Sequence, residues 1–144
     1  MLDATAAAQA LSDAAGAARG FLGIDPVTQN CALIAAELTR IGAQVCRADD
    51  ALVGYAHRPS QPRQALVAST SARAEPVATL LSFLRIHQRS TSYLALVPAG
   101  SVTIAAFEGC GFRQAGVLRD HRYQSGGYQD VLVYFAKEAD TCRS

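Results

Sequence analysis

The sequence predicts a mixed α/β (α+β) fold in one domain spanning residues 1–144, and three observations predict it. Two runs that are apolar on both faces, "QALVAST" and "SYLALVP", read as buried strands and are separated by an amphipathic helical segment. A long pair of strand-like runs closes the chain around "QSGG", a hairpin signal. No domain boundary divides the 144 residues, a length that buries a core without staples.

The elements follow in order. Residues 3–19 are rich in helix formers, with Asp3 or Thr5 as N-cap and Gly20 as the stop, and "GFLGIDP" reads as a turn-containing linker. Residues 1–25 thus form an atypical start of helix and linker. A second helix is expected from Asp25 as N-cap with Pro26 at its first position. Ala32, Leu33, Ala36, Leu38 and Ile41 give it an apolar face before Gly42. Gln44–Arg47 and Leu52–His57 flank an Asp-Asp turn and predict a hairpin. "PVATLLSFLRIHQRS" predicts a helix with Val77, Leu80, Leu81, Leu84 and Ile86 inward. "GSVTIAAFEGCG" predicts a short helix capped by Ser101 and closed by Gly109 or Gly111.

Composition excludes several classes. Thirteen basic against twelve acidic residues, with no basic run longer than a pair, gives no footprint for nucleic acid or an anionic membrane. The four cysteines, Cys31, Cys46, Cys110 and Cys142, form no C-x-x-C pair and no zinc spacing with histidine, so no metal is expected and reduced thiols are. The first twenty residues lack the basic and leucine-rich regions of a signal peptide, and no apolar run reaches membrane length, which predicts a cytoplasmic protein.

The last third carries a resemblance. In "AAFEGCGFRQAGVLRDHRYQSGGYQDVLVY", Glu108, Gly111, Phe112, Gly116, Gly126 and Asp130 match without a gap the closing signature of the GNAT acetyltransferase superfamily. In detail the segment looks most like the phosphinothricin-type N-acetyltransferases. "ADDALVGYAH" resembles that family's hairpin. The resemblance spans roughly residues 26–137 and is strongest from Phe107 onward. It implies a GNAT-like, mostly antiparallel central sheet with helices on both faces. It also implies direct transfer of an acetyl group from acetyl-CoA to the primary amine of a small molecule, and dimerisation would be natural for that group. Family members usually open with a strand before the first helix. This chain starts almost at the helix, so that strand is expected to be absent or supplied by a partner.

The resemblance also implies a site. The pantetheine arm would pair with backbone around Leu66, Val67 and Ala68, and the pyrophosphate would sit on the turn carrying Arg73, Ala74, Val77 and Ala78. Where the family has glycines this chain has Arg73, Glu75 and Val77, with Pro76 contributing no N–H. Phe107 stands where relatives place a Tyr or His that protonates the thiolate. His57, at the end of the hairpin strand and facing the region where substrates lie in that fold, and Tyr123 and Asp130 on the last hairpin are the expected catalytic groups. The altered turn leaves a second reading open: a catalytically impaired GNAT-like regulatory or interaction protein that binds CoA weakly or not at all.

Overall fold

The computed structural model describes residues 1–124 and 126–141, with nothing stated for the side chains of Arg58 and Gln124. Ser125 of the expected "QSGG" turn and Cys142 lie outside the described residues. Six strands form one sheet: β1 (Gln44–Ala48), β2 (Ala51–Arg58), β3 (Gln61–Ser69), β4 (Ser92–Pro98), β5 (Arg113–Gln124) and β6 (Gly127–Lys137). Their order is β1-β2-β3-β4-β6-β5, antiparallel throughout except for β3 against β4. Helices α1 (Ala4–Ala14) and α2 (Cys31–Ile41) precede β1, α3 (Ala74–His87) joins β3 to β4, and α4 (Ile104–Gly109) follows β4.

Strand alternation sends side chains to two cores. Val53, Tyr55, Ala65, Val67, Tyr93 and Ala95 meet α3 and α4 on one face. Leu52, Ala68 and Val45 meet α1, α2 and the linker residues Phe21, Leu22 and Ile24 on the other. The sheet is therefore covered on both faces, as expected.

Several boundaries differ from the sequence expectation. Asp3 does cap α1, accepting from the Ala6 amide at 2.7 Å, but the α-helix ends at Ala14 and continues only as a 3₁₀ turn to Ala18. Asp25 does not start α2. Its carboxylate accepts from the Val27 amide and its own amide donates to the Gln29 side chain, closing a separate turn; Asn30 is the cap, accepting from the Leu33 amide at 2.9 Å. Leu33 and Ile86 are exposed rather than inward. Ser101 does not cap α4, whose N-cap is Thr103, and the Thr103 side chain makes no capping bond to the helix. The expected absence of a first strand is modified too, since the Leu2 amide donates to the Val45 carbonyl at 2.8 Å in a single antiparallel bridge on the outer edge of β1.

Tyr93 is fully buried, and its hydroxyl has no hydrogen-bond partner among the described residues. Burial first, then the charge of Glu138, against the opposing pull of Arg85, pushes its pKa up to about 12. The protonated form is the one the fold favours. Its stabilisation is complete below the unfolded pKa near ~10 and is lost as pH rises through the folded value. Urea midpoints measured across that alkaline interval should fall with pH. The decline should be shallower in Tyr93→Phe, which cannot ionise; an equally steep decline in the variant contradicts the assignment.

Candidate active site

The pairing of β3 with β4 stops short. Gln64, Ala65 and Leu66 pair with Ser92, Tyr93 and Leu94; beyond them β3 runs to Ser69 and β4 to Pro98 without shared register. Each strand stays tied on its outer side, β3 to β2 as far as Ser69–Val53 and β4 to β6 as far as Pro98–Val131. Two strands held by different neighbours diverge, and a wedge opens between them.

The wedge exposes a strand edge. The Thr70 amide donates to the Leu52 carbonyl on β2 at 3.0 Å. Backbone groups alternate sides along a strand, so Ala68 and Leu66 also turn theirs toward β2, whereas Val67 and Ser69 turn theirs into the wedge. Of the three expected cofactor-pairing residues, Val67 is the one whose amide and carbonyl face the opening. Leu66 and Ala68 instead point their side chains toward α1 and α2.

Both faces of the wedge are closed by the chain itself. Phe107, fully buried, forms its wall on the α3–α4 side and packs edge-on against Phe112 at 5.3 Å. Gly20 and Phe21 of the linker close the other side. The fit is tight at two glycines. A Cβ on Gly54 in β2 would lie 2.8 Å from the Phe21 ring, and one on Gly20 would lie 2.6 Å from Pro98. What remains is a cavity of about 10 Å³ lined also by Ser69 and Thr103, room for a single water. The Thr103 hydroxyl lies 2.9 Å from that of Ser101, which borders an outer groove.

The turn after β3 is fastened internally. The Ser71 amide donates to the Ser69 hydroxyl and the Arg73 amide to the Ser71 hydroxyl. Of the first helical turn, Ala74 and Glu75 have amides without an intrahelical partner, and Pro76 has none to offer. The Ala74 carbonyl accepts from the Cys110 thiol at 3.3 Å, which ties α3 to α4. Val77 and Ala78 are core residues, with Val77 fully buried. Arg73 reaches three carboxylates: Asp49 at 3.6 Å, Asp50 at 3.4 Å and Glu75 at 3.7 Å. The two aspartates come from the β1–β2 turn, where Asp49 takes a positive φ. The mouth of the helix thus carries one cation among three anions, a poor setting for a phosphate.

The three expected catalytic groups are not brought together. His57 turns toward α3, with its ring against Tyr55 and its Nε2 3.5 Å from the Ser90 hydroxyl. It lies beside Ala65 in register, below the start of the wedge, and it also borders a cavity lined by Leu22, Ile41, Ala56 and Leu66. Its parity with Val53 and Tyr55 sends it to the α3–α4 face. Asp130 accepts from the Asp120 amide at 2.9 Å, where a positive φ and a register shift mark a bulge in β5. Tyr123 sits across from Tyr128 near the hairpin end, the two exposed rings 5.3 Å apart. Tyr123 lines an open polar groove of about 410 Å³ together with His121, Arg122 and Gln29.

Sequence reasoning missed Phe21, Gly20 and the aspartate pair. One signal was available, because a glycine inside a strand, here Gly54, marks a close approach by another part of the chain.

By sequence the chain matches no family model and no curated protein. Solved structures do resemble it. A point mutant of spermidine N-acetyltransferase SpeG from Vibrio cholerae superposes with a TM-score of 0.68 at 12% identity, over 94% of this chain and 92% of that one. RimJ from Mycobacterium smegmatis, in complex with CoA-disulfide, gives 0.64 at 16% identity, over 92% of this chain and 78% of that one. Among the described residues no helix is long and apolar enough to cross a membrane, and no group of three or more candidate ligands could hold a metal. What these similarities establish is architecture: this chain has the fold of the GNAT acetyltransferases.

Proposed function

We propose that the chain is an N-acetyltransferase that takes an acetyl group from acetyl-CoA and passes it directly to the primary amine of a small molecule. The observation that carries this reading is the wedge between β3 and β4, with the backbone edge of Val67 and Ser69 turned into it. Such an edge can pair with the amides of a pantetheine arm and can donate to the oxyanion that forms when the amine attacks the thioester carbonyl. The C–N bond forms with the oxyanion, whose collapse breaks the C–S bond; the nitrogen gives up a proton and the departing thiolate takes one. Phe107 has no proton to give. The Thr103–Ser101 hydroxyl pair, which links the wedge to the outer groove, offers a path for a proton from water.

Two observations favour a second reading, a GNAT-fold regulatory or interaction protein with little affinity for CoA. The closed wedge and the three carboxylates around Arg73 both oppose the cofactor. Turnover separates the two. Incubation with acetyl-CoA and a panel of primary amines, followed by a thiol-reactive dye, should release CoA thiol only when an amine is present. No amine-dependent release anywhere in the panel overturns the enzyme reading.

A further inference from the structure

A second cavity, of about 390 Å³, opens on the face covered by α1 and α2, a size that suits a small molecule. Its walls are largely apolar, with Leu22 from the linker, Ile41 from α2, Ala56 from β2, Leu66 from β3 and Pro59 from the turn between those strands, and His57 at the end of β2 adds an imidazole. The cavity adjoins the wedge at two points. Leu66 is the last β3 residue paired with β4, so the floor reaches the place where the strands part. Leu22 lines this cavity while its neighbour Phe21 lines the wedge, and Leu22 takes a positive φ of 49° to send the two rows of contacts apart. The linker is therefore the partition between the two spaces.

Among the described residues, two charged side chains border this cavity, and they pair with each other. Glu37 is its one carboxylate, and it accepts from Arg40 one helical turn on, with Arg40 Nε 3.0 Å from Oε2. We infer that this cavity receives the acyl acceptor, and that the acceptor is a primary amine on an apolar alkyl or arylalkyl body with no second charge. The inference rests on the acetyltransferase reading for the word acceptor.

Two physical reasons support the class. Apolar walls disfavour an ammonium and favour the neutral amine, which is the nucleophilic form, so the cavity itself helps to deprotonate its ligand. His57, which borders the cavity, is the side chain placed to take the amine proton, whereas Tyr123 and Asp130 lie elsewhere. A polyamine would bring further ammonium groups to a space whose single carboxylate is held by Arg40, and each would lie unpaired or beside that cation. The acceptor class therefore differs from that named for the spermidine N-acetyltransferase of the same fold.

Calorimetric titration of the full chain with hexylamine, phenethylamine, spermidine and hexanoate tests this, with acetyl-CoA titrated in parallel. The two apolar amines should bind at least tenfold more tightly than spermidine or hexanoate. Ile41→Trp, which fills a half-buried rim position, should weaken them tenfold or more with an unchanged circular dichroism spectrum. Ile41→Glu should shift the preference toward spermidine by adding an acid. Binding of spermidine or hexanoate as tight as that of hexylamine overturns the inference. So does absence of amine binding, or amine affinity indifferent to both Ile41 changes. If acetyl-CoA binds and the amines do not, this inference fails while the proposed function stands. If the amines bind and acetyl-CoA does not, the cavity is a ligand site and the acetyltransferase reading fails.

Discussion

Neutralising Asp49, Asp50 and Glu75 together, as Asp49→Asn, Asp50→Asn and Glu75→Gln, is expected to tighten acetyl-CoA binding by roughly 30-fold or more at low ionic strength. The estimate comes from the charges alone. A unit charge about 4 Å from another in water contributes about 1 kcal/mol, and the three carboxylates crowd the place where the pyrophosphate would approach α3. Neutralising them also releases Arg73 to face the phosphates. All three carboxylates are exposed, so salt screens them, and the advantage of the variant should shrink to a few-fold near physiological ionic strength. Calorimetry at two salt concentrations checks both parts. Equal affinities for parent and variant at low salt would show that the carboxylates do not face the cofactor.

Gly111→Ala is expected to lower the unfolding free energy by about 3 kcal/mol. Gly111 has φ +92°, and a Cβ there would overlap the Asp140 carbonyl oxygen. The backbone conformation alone costs an L-residue roughly 1–2 kcal/mol. The overlap is with main chain, which cannot step aside as a flexible side chain can, and adds roughly as much again. For a chain of this size the melting temperature should fall by about 10 °C. The position carries functional weight because Gly111 delivers Phe112 to the core against Phe107, the ring that walls the wedge, and beside Tyr93. An unchanged melting temperature would mean that the turn after α4 is not constrained as described.

The strand framework was legible because its signals are local. Leu66 to Ala68 and Leu94 to Val97 are apolar on both faces, the Asp-Asp turn separates β1 from β2, and the final hairpin bears its glycines at the turn. The start of α2 was misread because Asp25 and Asn30 are both competent caps. The choice between them is made by the Gln29 side chain, whose bond to the Asp25 amide no periodicity reveals. The site was less legible because it depends on contacts between distant segments. Arg73 meets Asp49 and Asp50 across more than twenty positions, and Phe21 reaches Gly54 across more than thirty. His57 followed a simple rule of alternation, but the face it would take depended on which helices cover that side of β2.

The central claim is that the β3–β4 wedge admits acetyl-CoA although the resting chain closes it. Isothermal titration of the intact protein with acetyl-CoA tests it most directly. The account predicts saturable one-to-one binding, with a dissociation constant between micromolar and millimolar and an affinity reduced at least tenfold by Gly54→Val. That substitution forces Phe21 off its seat and disturbs the edge that carries Val67. No heat of binding at millimolar acetyl-CoA, with the protein folded, would contradict it.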